Sequence, residues 1–478
     1  MTQTVPDPRR WKALAVLGIA YLMVVLDVSI VNVALPSIQT DLDFSPENLQ
    51  WVISAYALTF GGFLLLGGRI GDIIGRRRLF MAGLTLFAAF SLLAGFATSD
   101  TMLIVARALQ GAAGAILSPS VFSITLVTFA EGSERNKALG ILGAIAGSGA
   151  AIGVLLGGVL TEYAGWEWIF YVNAPIGALA LWLAVRYVSE SRVEGIERRF
   201  DSAGAISVTA SLMLLVYGLT QAPNKGWGSG QTIGVLIGSA ALMVLFLVIE
   251  SRSRSPLVPL GFFRRRTPTG ANIVGFGLGT MVFGMFFLLS LYMQQVLGFS
   301  ALKTGVGYLA VALTAIVASG AAQALVTRVG VRPILALGMG LIGGGLIYFT
   351  QISPDGSYLG DLLPGFLLVG VGLGFAFVPV SIAALSGIPP QEAGLASGLI
   401  NTSQQIGGAL GVAVLTTVST TRTENLLAEG TAQPVAFTDG FTLAFWVAAA
   451  VAGLSLLATL LLLRRSDLQA APAGAVAG

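Results

Sequence analysis

Residues 26–36 read LDVSIVNVALP, and the residues before them are apolar back to Leu14. Only Asp27, Ser29 and Asn32 interrupt the segment. An ionised carboxylate in such surroundings costs several kcal/mol unless something compensates it. Two readings are open. Asp27 is locked in a permanent structural pair, or it takes up and gives up a proton. Asp27 follows Lys12 by 15 residues, about 22 Å along a helix, which puts it past the middle of a bilayer. A carboxylate wetted in turn from each side accepts a proton on one side and releases it on the other.

The rest of the chain fits a membrane setting. It has 478 residues, 55% hydrophobic and only 10% charged, with mean hydropathy +0.85. A soluble chain carries about 25% charged residues. There is no cysteine and no histidine. Disulfides, thiolate chemistry, histidine triads and histidine metal sites are therefore excluded. No lysine follows a glycine, so the phosphate-cradling loop of ATP hydrolases is absent. Carboxylates remain as the proton carriers, and Asp27 is the one well inside an apolar stretch.

Fourteen apolar stretches are readable, at 13–36, 47–68, 79–98, 101–129, 138–160, 168–188, 203–222, 231–250, 269–293, 303–326, 331–351, 362–386, 393–418 and 439–463. Most are near the ~17–25 residues that a crossing helix needs. With a cytoplasmic N-terminus, 22 Lys and Arg fall on the cytoplasmic side, three fall outside, and Arg107 lies within a span. Basic residues favour the cytoplasmic side. The bias predicts an even number of spans, both termini cytoplasmic, and a basic balance that reports topology instead of nucleic-acid binding.

A weak repeat links GGRIGDIIGRRRLF (67–80) to VTRVGVRPIL (326–335), each a glycine- and arginine-bearing loop between spans. The expected organisation is an N-terminal six-helix bundle over 1–190, two linker spans over 191–266 and a C-terminal six-helix bundle over 267–478. Such halves suit transporters whose substrate site lies between them.

Arg107 lies seven residues into its stretch, about 10 Å deep, a depth compatible with meeting Asp27. The competing reading is a snorkelling side chain. Gln110, three residues on, shares its face. Gly149, Gly153 and Gly157 recur at four-residue spacing, which lets helices approach closely; Gly158 follows. In GRIGDIIGRRR (68–78), Gly68 and Gly75 allow tight turns, and Asp72 and Arg76 are read as neighbours four residues apart. Substrate-contact candidates are the polar and aromatic mid-span residues Asn32, Tyr56, Gln110, Tyr292, Gln294, Asn401 and Gln404. Each has the ordinary alternative of an interhelical hydrogen bond.

LDVSIVNVALP, GRIGDIIGRRR, LIVARALQGAAGA (103–115), GSGAAIGVLLGG (147–158), WEWIFYVNAPIG (166–177) and EAGLASGLINTSQQIGGALG (392–411) together resemble the fourteen-span drug:proton antiporter branch of the major facilitator superfamily. The resemblance covers nearly the whole chain. Two positions depart from that pattern: Val154 where the span 5 motif carries proline, and Glu167 where arginine usually stands between the tryptophans.

The resemblance implies an all-α membrane protein of the major facilitator fold, with two six-helix bundles and two extra central spans. It implies a monomer in the plasma membrane that needs no cofactor or metal. A proton gradient drives export of amphipathic, cationic drugs or other toxic small molecules. Asp27 and Arg107 are the implied coupling pair. The span 5 glycines take a sealing role, and Gly68, Asp72, Gly75 and Arg76 form a conformational latch. The alternatives are export of a native metabolite or lipid, or proton-coupled uptake. An enzyme is not expected, since no polar cluster is dense enough for chemistry.

Overall fold

The computed structural model describes residues 8–129, 133–190, 201–253, 256, 258, 260–388 and 393–463. Each apolar stretch lies on a helix, and among the described residues all regular structure is helical. The first six helices are α1 (Arg10–Asp41), α2 (Trp51–Ile74), α3 (Arg76–Gly95), α4 (Asp100–Thr128), α5 (Ser133–Tyr163) and α6, the last broken into Trp168–Tyr171 and Asn173–Tyr187. Two follow in the middle of the chain, α7 (Ser202–Lys225) and α8 (Gly230–Arg252). The last six are α9 (Arg266–Leu291), α10 (Ala301–Gly307 and Leu309–Val329), α11 (Val331–Phe349), α12 (Leu363–Leu385), α13 (Ala393–Ala428) and α14 (Gln433–Leu462). Ten of these are long and apolar enough to cross a membrane; α2, α5 and α7 contain shorter apolar segments.

Local signals set the boundaries. Ser99, Asp201, Ser229 and Ser300 cap α4, α7, α8 and α10 by accepting a bond from a backbone N–H in the first turn, which satisfies a donor the helix leaves open. Gly75 (φ 114°) separates α2 from α3, and Gly330 (φ 91°) separates α10 from α11. Both sit in a backbone region that side-chain-bearing residues avoid. The predicted helical spacing of Asp72 and Arg76 does not hold, because Gly75 breaks the helix between them. The side chain of Asp72, and that of Gly68's neighbour Arg69, lie outside the described residues.

α1 outruns its apolar stretch. It continues through Pro36 to Asp41, although proline has no N–H for the carbonyl of Asn32 four residues back. Tertiary packing outweighs that loss: Leu35 and Ile38 are fully buried.

The pairing of helices repeats. In the first six, α1 packs on α5 and α6, α2 on α4, and α3 on α4 and α6. In the last six, α9 packs on α13 and α14, α10 on α12, and α11 on α12 and α14. α7 and α8 pack on each other, and Ser211 and Ser239 each donate to the other's backbone carbonyl at 2.8 Å. Thr209 on α7 donates to the Gly62 carbonyl of α2 at 2.7 Å.

Helix ends near Arg10, Arg76–Arg78 and Arg332 define a basic face; the opposite ends define the far face. At the basic face, Arg77 donates to the Val185 carbonyl at 2.8 Å, and Arg332 donates to the Leu460 carbonyl. These acceptors close the sixth helix of each set. The apolar core is continuous across the far face, where Ile30–Ile38 of α1 join α9–α14 in one cluster. Toward the basic face, α1–α6 keep a cluster of their own.

Candidate functional site: a buried ion pair between α1 and α4

Asp27 is fully buried, and Arg107 is 1% exposed. Arg107 is therefore not a snorkelling residue. Its Nη1 donates to Asp27 Oδ2 at 2.5 Å. The other carboxylate oxygen, Oδ1, accepts from Gln110 Nε2 at 2.6 Å and from Asn173 Nδ2 at 3.0 Å. Asn173 also donates to Ser91 Oγ at 2.9 Å, and Ser91 donates to the Phe170 carbonyl at 2.8 Å. Five helices thus converge, with α2 supplying the floor. Arg107 Nε donates to the Val52 carbonyl at 3.0 Å, and its guanidinium lies 4.3 Å from the Tyr56 ring centre. Nη1 also donates to Gln110 Oε1 at 2.7 Å.

This completeness is what the location demands. Removing two charges from water is expensive, and their attraction offsets it only when the remaining polar atoms are also satisfied. Gln110 works in both directions: its oxygen accepts from Arg107, and its nitrogen donates to Asp27. Close packing holds the frame. A Cβ at Gly111 would collide with the Tyr56 carbonyl, so glycine there lets α4 lie against α2. The Tyr56 hydroxyl is buried with no hydrogen-bond partner among the described residues.

Asn173 and Ser91 were not among the sequence candidates. Asn173 stands in the quoted WEWIFYVNAPIG, and Ser91 is a polar residue within an apolar run. Neutral polar residues are common enough in spans that neither is singled out without its partner.

The other candidates sit elsewhere. Asn32 bonds back to the carbonyls of Val28 and Ser29 at 3.1 and 3.3 Å. Tyr292 is at the far end of α9, donating to the Ser353 carbonyl at 2.6 Å. Gln294 is on the π turn that continues α9 over Tyr292–Val296, and it donates to the Val33 carbonyl at 3.2 Å. Asn401 and Gln404 are half-buried on α13, where the Gln404 backbone presses on Gly279 of α9.

The α5 glycines divide by face. A Cβ at Gly149 would meet Val25, at Gly153 the Ser29 hydroxyl and Leu26 carbonyl, and at Gly157 the Ile30 carbonyl. All three lie against α1, on the turns around Asp27. Gly158 faces the other way: its Cβ would lie 2.7 Å from the Ala301 carbonyl of α10. Gly305 of α10 answers it, at 2.8 Å from the Val154 carbonyl. Val154, in place of the usual proline, is fully buried at this seam. Glu167 folds back over Gly165, while Trp166 donates to Asp41 Oδ2 at 2.8 Å.

Known proteins share this architecture. The puromycin resistance protein pur8 of Streptomyces alboniger is 42% identical over 94% of this chain and 89% of its own length. The cephamycin export protein CmcT of Amycolatopsis lactamdurans is 40% identical over 87% of this chain and 86% of its own. The tetracenomycin C resistance and export protein of Streptomyces glaucescens is 33% identical over 85% and 75%. In fold, the chain is similar to the human organic anion transporter MFSD10, with a TM-score of 0.65 at 16% identity, covering 95% of this chain and all of that one. Residues 17–412 match the Major Facilitator Superfamily. The repeated helix pairing, the far-face seam and these likenesses converge on one assignment: the chain is a membrane transport protein that belongs to the major facilitator superfamily.

Proposed function

We propose that this transporter exports toxic small molecules, with amphipathic cations as the substrate class, in exchange for protons. The relatives' names, which speak of antibiotic resistance and export, support the direction and the kind of cargo. The observation that carries proton coupling is the buried Asp27–Arg107 pair with its set of amide donors.

When the Asp27 carboxylate takes a proton, it becomes a neutral acid and its attraction to Arg107 falls away. Arg107 then keeps the Val52 carbonyl, the Gln110 oxygen and the Tyr56 ring. Those groups make the charged guanidinium tolerable in both states. A proton arriving from the far face relaxes the α1–α4 contact, and release at the basic face restores it. The two six-helix halves, 1–190 and 267–478, rock about the site, with 191–266 bridging them as two further spans. The basic face is cytoplasmic in this reading, with fourteen spans, both termini inside the cell and one chain as the working unit.

Purified protein in proteoliposomes tests the reading. An imposed pH difference should concentrate a cationic dye or antibiotic in the parent. Asp27→Asn should abolish this at normal abundance, since an amide releases no proton, while substrate-for-substrate exchange survives. Uphill transport by Asp27→Asn under the same pH difference would exclude Asp27 as the coupling group.

A further inference from the structure

Gln294 lies far along the chain from the ion pair, yet it touches the helix that carries Asp27. Its π turn ends α9, a rare geometry that is frequent at functional sites. The turn directs the Gln294 amide across the seam to the carbonyl of Val33. Val33 is six residues beyond Asp27, about 9 Å along α1. Around this bond the seam is backbone against backbone, with Gly158 on Ala301 and Gly305 on Val154.

The segment of α1 between Asp27 and Val33 is built to bend. Ser29 Oγ bonds back to the Val25 and Leu26 carbonyls, and Asn32 bonds back to Val28 and Ser29. Such back-bonding competes with the helical ladder and bends helices. Pro36 removes one ladder donor just beyond. A soft stretch therefore separates the carboxylate from the carbonyl that Gln294 holds. For the far face to open, the Gln294–Val33 bond must break.

We propose that Gln294 is a positioning residue that holds the far half of α1 in the closed state and sets how readily protons outside reach Asp27. This rests on the proton-exchange reading above. It gives Gln294 a role in gating and removes it from the substrate pocket.

The absence of cysteine from the chain makes the test clean. Ala34, beside Val33, is fully buried in the seam. Ala34→Cys serves as a reporter, labelled by a membrane-impermeant maleimide from the far side only when that face opens. Losing one hydrogen bond shifts an opening equilibrium roughly two- to tenfold. Gln294→Leu should speed labelling by that factor, with apparent substrate affinity from the basic face unchanged. Gln294→Asn, one methylene too short to reach Val33, should do the same and covers the case in which leucine disturbs folding. Equal labelling in parent and both variants overturns the proposal, as does weakened substrate affinity with unchanged labelling. Asp27→Asn in the same background keeps the two readings apart. If it retains pH-driven transport, the coupling assignment fails, whatever the labelling of the Gln294 variants.

Discussion

In the first half, α1, α4 and α6 meet through an ion pair and amides: Asp27, Arg107, Gln110 and Asn173. The second half pairs its helices in the same scheme and fills its interior with rings from α10, α11, α12 and α14. Tyr308 stands 5.2 Å from Phe366, which is 5.4 Å from Phe349, which is 5.6 Å from Phe445. Tyr308 donates to the Phe286 carbonyl at 2.9 Å and pairs with Ser290 at 3.1 Å. No charged side chain is buried in α9–α14 among the described residues. The same helix pairing thus serves two ends. A buried charge needs donors fixed in place, so the half that carries it is tightly specified. An aromatic core has no such demand and supplies shape.

Breaking the ion pair tests this contrast most severely. Removing one member of a buried pair costs about 3–5 kcal/mol when the other is stranded. Asp27→Asn leaves Arg107 the Val52 carbonyl, the Gln110 oxygen and the Tyr56 ring, whereas loss of Arg107 leaves the Asp27 carboxylate with neutral amides only. Arg107→Leu should therefore lower membrane abundance and melting temperature sharply. Arg107→Leu combined with Asp27→Asn makes the first half as uncharged as the second. The double variant should regain most of the stability and none of the pH-driven transport, measured as thermal stability in detergent and flux in vesicles. A double variant as unstable as the single one would show that the pair is structural glue.

The glycines sharpen the comparison between contacts within a half and contacts across the seam. Gly153→Leu forces α5 off α1, so abundance and efflux should fall together. Gly158→Leu presses only on α10, so efflux should fall while abundance stays near normal. Immunoblots of membranes beside efflux rates decide it; identical behaviour of the two would erase the distinction.

Charge in one half alone also fixes the energetics of the proposed cycle. With Asp27 the sole carrier, one proton enters per substrate leaving. Export of a monovalent cation is then electroneutral, and each pH unit supports about a tenfold gradient, since one unit is ~1.36 kcal/mol. A dication moves one net charge outward against a negative interior, at ~2.3 kcal/mol per 100 mV. Monovalent and neutral substrates should be exported better than divalent ones. Uphill export of a monovalent cation in vesicles with an inside-negative potential and no pH difference would reveal a second proton site.

The smallest effect is expected in the second half. Tyr308→Phe keeps the ring stack and removes one hydroxyl, at a net cost of about 1 kcal/mol. The melting temperature should drop slightly, with proton coupling intact; a coupling defect would place chemistry in the aromatic core as well.

Much of this was readable before any coordinates. Apolar runs separated by arginine-bearing loops mark the helices, and a carboxylate in LDVSIVNVALP is conspicuous because hydrocarbon penalises it. Arg107 follows by the same logic. Asn173 and Ser91 carry no such penalty and stay hidden until the fold brings them to Oδ1. Gln294 is legible as a polar mid-span residue but not as a contact of α1, since its partner is a backbone carbonyl, which no side chain announces. The two faces of α5 were equally hidden, because glycine spacing shows that something packs closely and not what. The break at Gly75 is hidden because the sequence does not state the φ of a glycine that helical spacing alone would carry straight through.

The ion pair has a consequence for synthesis. Asp27 precedes Arg107 by 80 residues. At a translation rate of about 5–20 residues per second, α1 exists for roughly 4–16 s before its counter-ion is made. During that interval the newborn helix must hold an unmatched acid among lipids or stay beside the insertion machinery. Chain order thus makes the first helix wait on the fourth, and a proton on Asp27 during assembly would keep the carboxyl neutral until the guanidinium arrives.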